Sequence, residues 1–223
     1  MPLMDLVTKE YAVIVCETIR DEYTFAAEKT GCHFETHWVE SGLHNCPHKL
    51  RAAIQHELDS LSSKDRVILC FGYCGNAVFG LRTRDFELVQ AKTDDCISLL
   101  LSPECMHYRA NAAEASYFLT AGWLRGERNI YAEYVNAIEK HGFLRGRRAM
   151  SAMLDGYRNL LLLDTGSFDL SVAINESEMI AEKLGLRFRV VSGTINYIAE
   201  LLTGPYPCDR FLVTPPNSLV TDN

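Results

Sequence analysis

Eight short apolar runs, rich in Val, Ile, Leu and aromatic residues, recur along the chain, and segments with helical spacing separate them. Examples are Ala12-Val-Ile-Val-Cys16, Val67-Ile-Leu-Cys70 and Leu160-Leu-Leu-Leu-Asp164. Runs of four to eight apolar residues alternating with longer amphipathic stretches read as βαβ units, which impose right-handed crossovers and a mostly parallel sheet. The pattern predicts strands near 11–16, 34–39, 66–71, 86–90, 116–120, 158–164, 187–192 and 210–214. Helices are expected near 20–30, 47–61, 95–107, 127–141, 146–156, 175–185 and 195–202. Pro47 suits a first helical turn with Asn45 upstream as its cap, Asn175 is a candidate cap, and Gly185 is a stop.

At 223 residues the chain suffices for one large α/β domain or for two halves sharing an interface. A division near 115 gives each half about four strands. The expected fold is therefore α/β, with two Rossmann-like halves (1–115 and 116–223), mostly parallel sheets and a crevice at the strand C-terminal ends. The residues that fall at those ends matter most, because open α/β sheets bind ligands there.

Three of the eight cysteines stand where a predicted strand gives way to a turn or helix: Cys16, Cys74 and Cys96. Cys74 lies in Gly72-Tyr-Cys74-Gly-Asn76, where glycines allow a tight turn and a nearby helix start would favour its thiolate. Cys96 follows Asp94 and Asp95, natural capping residues, which puts it in the first turn of a helix. Adjacent parallel strands lie roughly 5 Å apart, so thiolates from three strand ends can converge on one soft metal centre. Cys70, mid-strand, reads as core. Cys105 and Cys208 have no visible partner.

Other polar groups fall near the same ends. His44, in His44-Asn-Cys46-Pro-His48, suits a ligand, a general base or a substrate contact. His44 and Asp95 are candidate acid/base groups, with Glu17 and Arg20 secondary. Gly75 and Asn76 offer amides to an anion. Thr165 and Thr194, in strand-end turns of the second half, are expected on the opposite wall of the crevice. There is no GxGxxG after the first strand, no GxxxxGK[ST] and no GxSxG elbow.

A formal charge of −7 argues against a nucleic-acid partner. No signal peptide and no apolar run long enough to span a membrane are visible, so a reducing cytosol is the expected compartment and free thiols the expected state. Two centres fit three cysteine ligands with one open position: a [4Fe-4S] cluster with one iron free, toward which all-sulfur ligation leans, or zinc. The function expected is a lyase- or transferase-type metalloenzyme acting on a small anionic or sulfur-containing molecule, with a homodimer as a possible assembly. A non-catalytic accessory protein, or a metal-free enzyme using Cys74 as nucleophile, are the alternatives.

Several phrases in order resemble the prokaryotic domain-of-unknown-function family 1638. They are Cys16 with Glu22, His44-Asn-Cys-Pro with Leu50-Arg51, Gly72-Tyr-Cys74-Gly-Asn76 with Gly80-Leu81, Asp95-Cys96-Ile-Ser-Leu-Leu-Leu101, and Tyr117-Phe-Leu-Thr-Ala-Gly-Trp123. Members of that family often carry Pro-Arg before the Asp-Cys-Ile phrase, and Gly-Ser with Arg-Tyr after it. Here Ala91-Lys92, Ser102-Pro103 and His107-Tyr108 stand instead, so the resemblance carries over the cysteines but not the substrate contacts. It implies no settled activity, and a setting near corrinoid methyltransferase systems.

Overall fold

The computed structural model describes residues 10–110 and 115–222. Strands β1 (Tyr11–Cys16), β2 (Glu35–Val39), β3 (Arg66–Cys70) and β4 (Glu87–Ala91) form a parallel sheet in the order β2-β1-β3-β4, and β8 (Phe211–Thr214) joins its edge antiparallel to β4. A second, all-parallel sheet has the order β5 (Ala115–Leu119), β6 (Tyr157–Asp164), β7 (Arg187–Ser192). The mixed α/β class and the mostly parallel sheets are as the alternating pattern implied. Strands buried on both faces need no polar alternation, and Ala12–Cys16 and Leu160–Leu163 are fully buried runs.

The expected division near 115 falls beside residues 111–114, which lie outside the described residues. The sheets hold five and three strands rather than four each, because the end of the chain crosses back. Helix α8 (Asn196–Thr203) buries Ile198, Leu201 and Leu202 beside α1 (Arg20–Thr30), and β8 then pairs with β4. One core surrounds the first sheet, and a second lies between β5–β6 and helices α5 (Ile130–His141), α6 (Phe143–Met153) and α7 (Leu170–Leu184).

Three helix expectations change. Cys96 heads a 3-10 turn (Ile97–Leu99) rather than a long helix, and α3 (Pro103–Ala110) starts afresh. Pro103 lacks an N–H and so begins a helix rather than continuing one. Helix α7 is capped by Asp169, whose carboxylate accepts from Ser171 N–H, so Asn175 sits exposed inside it. Helix α2 (Pro47–Ser60) has Cys46 at the capping position without a side-chain cap; the side chain of Asn45 lies outside the described set.

The short helix α4 (Ala121–Arg125) docks the second sheet onto the turn after Cys16. The Thr120 hydroxyl donates to Thr18 O at 2.9 Å, and a Cβ on Gly122 would lie 2.4 Å from that same oxygen. Nearby, the Glu22 side chain on α1 is fully buried and accepts from the Thr165 hydroxyl at 3.2 Å, while its other oxygen has no partner among the described residues. Burial raises its carboxyl to about 7.

Because that folded value exceeds the ordinary carboxyl value, the folded state holds the proton longer than the unfolded chain. The contribution of Glu22 to stability is therefore fullest below about pH 4.5 and falls by roughly 3 kcal/mol as pH rises to about 7. Urea unfolding at pH 5 and pH 8 checks this: Glu22→Gln is expected to flatten the difference seen for the wild type. An unchanged slope in the variant would assign the effect elsewhere.

Candidate metal centre

The carboxyl ends of four parallel strands bring three cysteines and a histidine close together. Cys16 is the last residue of β1, and His44 lies in the 3-10 turn Ser41–Asn45 after β2. Cys74 follows β3, and Cys96 follows β4. In the order β2-β1-β3-β4 the connections from β1 and β3 diverge, and such switch points open a crevice in doubly wound sheets.

The donor atoms are close. Cys74 Sγ lies 3.6 Å from Cys96 Sγ, and His44 Nε2 lies 3.5 Å from Cys16 Sγ and 3.7 Å from Cys96 Sγ. Donor atoms of Cys16, His44 and Cys96 all fall within 4.8 Å of one another, a group able to hold a metal ion. Cys74 joins them through Cys96. His44 Nδ1 is 2.8 Å from Ser41 O, and its N–H donating there leaves Nε2 to face the sulfurs. Metal-bound histidines are commonly oriented in this way.

Local backbone chemistry sets the cysteines. A Cβ on Gly72 would lie 2.3 Å from the Asp95 backbone, so only glycine lets the two loops touch. Tyr73 and Cys74 N–H then donate to Thr93 O and Asp94 O at 2.7 and 2.8 Å. Cys74, Gly75 and Asn76 have φ of 45°, 68° and 65°. The left-handed region costs a non-glycine residue about 1–3 kcal/mol, and such strain persists only where its surroundings enforce it.

Arg51 on α2 supplies part of that enforcement, donating to Asn76 O at 2.9 Å and Ala77 O at 3.1 Å. Arg51→Ala is expected to weaken metal binding about tenfold through the loosened turn. A chelator competition checks this, with Arg51→Lys partly restoring affinity.

A cavity of about 420 Å³ reaches the cluster from outside. Thr18, His44 and Cys96 form one end, and Tyr117, Trp123 and Tyr157 from the second sheet and α4 form much of the rest. Trp123 Nε1–H donates to the Tyr117 hydroxyl at 3.0 Å, and the His44 and Trp123 rings meet edge-on at 6.0 Å.

The profile of a family described as "Protein of unknown function (DUF1638)" matches residues 38–202. The chain belongs to this family. The match includes His44, Cys74, Cys96 and the cavity aromatics; Cys16 precedes it. Searches of curated proteins and of solved structures found no match.

In this member of the DUF1638 family the thiols sit outside any α-helix N-terminus, contrary to the rationale for low thiol pKa values. The neighbouring Cys16 thiol and burial push Cys96 up to about 11, and Cys96 and burial push Cys74 higher still. Burial also opposes a charged His44, while the sulfurs of Cys74 and Cys96 favour it. A set like this releases its protons to a cation that takes their place. Cys70, fully buried mid-strand with its thiol raised to about 12 by burial, is core as expected.

The remaining predicted residues have other partners. Asp95 accepts from Arg109 at 3.0 and 2.8 Å and from Ser98 N–H and hydroxyl. Burial opposes its charge, but Arg109 and Ser98 hold it below the usual carboxylate range, which suits an ionised anchor better than a proton carrier. Glu17 pairs with Arg20 at 2.9 Å, and Arg20 stacks on Trp38 at 3.8 Å. Glu17 lines a separate cleft with Glu40 and Arg128.

Gly75 and Asn76 form the Cys74 turn. Thr165 and Thr194 are absent from the cavity lining: Thr165 bonds Glu22 and Ser167, while Thr194 N–H donates to Leu100 O and its hydroxyl accepts from Asn196 N–H. The second-sheet side of the cavity comes instead from Ala115–Phe118, Trp123 and Tyr157. The Tyr117-to-Trp123 phrase was the available sequence signal for that wall; nothing local linked Arg109 to Asp95. No helix among the described residues is long and apolar enough to cross a membrane.

Proposed function

We propose that the protein is a cytosolic metal-dependent enzyme, of lyase or transferase type, acting on a small molecule at a single ion of zinc type. Cys16, His44 and Cys96 are the three donors, which leaves the fourth position of a tetrahedral ion open, and Cys74 lies beside Cys96 as its neighbour. The spacing carries this reading. A tetrahedral ion with bonds of roughly 2.3 Å to sulfur and 2.0 Å to nitrogen sets its donors roughly 3.5–3.8 Å apart. His44 Nε2 lies 3.5 Å from the Cys16 sulfur and 3.7 Å from the Cys96 sulfur, and the three donor atoms all fall within 4.8 Å of one another.

A [4Fe-4S] cluster spreads its thiolates over different irons, and sulfurs in mutual contact suit it poorly. The preference from all-sulfur ligation therefore shifts once His44 joins the set. An ion here would act as a Lewis acid on an atom entering from the cavity. The chain's own residues would shape the cavity: Trp123 holds the Tyr117 hydroxyl, and Asp95 fixes Arg109.

Anaerobic purification followed by zinc, iron and sulfide analysis tests the proposal. About one zinc per chain without sulfide is expected. Iron with stoichiometric sulfide would restore the cluster, and metal-free protein that takes up no added zinc would sink the metal reading altogether.

A further inference from the structure

The same site holds a second chemistry that needs no ion. Cys74 and Cys96 are free cysteines whose sulfurs lie 3.6 Å apart, against about 2 Å in a disulfide. They come from loops joined by two backbone hydrogen bonds, so both thiols are held side by side rather than meeting by chance. Both are nearly buried, at 7% and 4% exposed, but the cavity reaches only one of them: Cys96 lines it and Cys74 does not.

The geometry points to dithiol–disulfide exchange with a small organic disulfide, in the metal-free protein, with Cys96 attacking and Cys74 resolving. The Cys96 sulfur forms a bond to one sulfur of RSSR as the S–S bond breaks, and the first RSH departs with the Cys96 proton. The Cys74 sulfur then bonds to Cys96 sulfur, and the second RSH departs with the Cys74 proton. Two thiols have been oxidised and one disulfide reduced, and a reducing thiol runs the sequence backwards. Closing the bond removes the Cys96 donor, so the oxidised form cannot hold an ion in the way the reduced form would.

The test uses full-length protein stripped of metal, with the more accessible Cys32, Cys46 and Cys208 replaced by serine. Oxidised glutathione is the probe, and intact mass with non-reducing peptide mapping is the readout. Expected is a chain about two mass units lighter, linked Cys74 to Cys96 and restored by dithiothreitol. In the same background Cys74→Ser should stop at a mixed disulfide, with one glutathione retained on Cys96. Zinc loaded beforehand should slow the exchange at least about tenfold.

A link through Cys16, an unchanged mass, or a Cys74→Ser chain that still forms an internal disulfide would overturn the inference. Mapping of the starting background decides the matter even if that variant fails to fold. The first readout is taken without metal: a Cys74–Cys96 link in protein that never binds zinc defeats only the metal proposal. Zinc binding without the link defeats only this one.

Discussion

Cys96→Ser is expected to lower zinc affinity by at least about a hundredfold, the largest loss of any single substitution at the site. Cys96 is the hub: its sulfur touches Cys74 at 3.6 Å and His44 at 3.7 Å, and it belongs to the group that also includes Cys16. Serine keeps the volume but replaces a thiolate donor with a neutral hydroxyl, which binds zinc poorly. Competition against a chromophoric chelator measures the change, and a circular dichroism spectrum checks that the fold survives.

Cys208→Ser should leave affinity unchanged, because Cys208 is exposed in the turn before β8 and is not among the donor group. Cys105→Ser should also leave zinc stoichiometry intact, although the Cys105 thiol is buried and donates to Ser192 O at 3.0 Å. Equal losses across Cys96, Cys105 and Cys208 variants would mean general destabilisation or surface binding. Loss confined to the Cys96 variant would mean a built site. Wild-type affinity in Cys96→Ser is the outcome that defeats the assignment.

Gly72→Ala is expected to cost about 3 kcal/mol of stability and to abolish tight metal binding together. The added carbon would meet Cα, C and O of Asp95 at 2.3–2.4 Å, all backbone, with no flexible side chain to swing away. The loops would have to part, breaking the Tyr73–Thr93 and Cys74–Asp94 hydrogen bonds that bring Cys74 beside Cys96. Gly42→Ala is the comparison. There the new carbon meets only the Arg128 and Glu40 side chains, at 3.1 and 3.2 Å, which can turn aside. Urea unfolding of both variants, with zinc affinity measured in parallel, separates the close loop contact from a generic cost of replacing glycine. A Gly72→Ala protein with unaltered affinity would show that the loop contact does not set the site.

The strand and helix rhythm was legible because parallel strands buried on both faces must be nearly continuous apolar runs; β1 and β6 announce themselves this way. Strand-end position made Cys16, Cys74 and Cys96 visible, since chain order in a βαβ fold already says which residues reach the carboxyl edge. His44 was visible as a residue but its role stayed open, because its setting depends on Ser41 O and on sulfurs 28 and 52 residues away. Thr165 and Thr194 sit at strand ends too, yet their polar groups bind Glu22 and Leu100 across the junction between the sheets.

Local periodicity and turn chemistry thus determined the fold class, most strand positions and the three cysteines at strand ends, since these depend on neighbours in sequence. The return of β8 to the first sheet, the Asp95–Arg109 pair, the aromatic wall of Tyr117, Trp123 and Tyr157, and the gathering of Cys16, His44 and Cys96 around one point came only from the tertiary structure. Each depends on contacts between distant segments, such as Gly72 against Asp95 and Gly122 against Thr18. Backbones can approach that closely only where a side chain is missing, and no local pattern records which partner fills the gap.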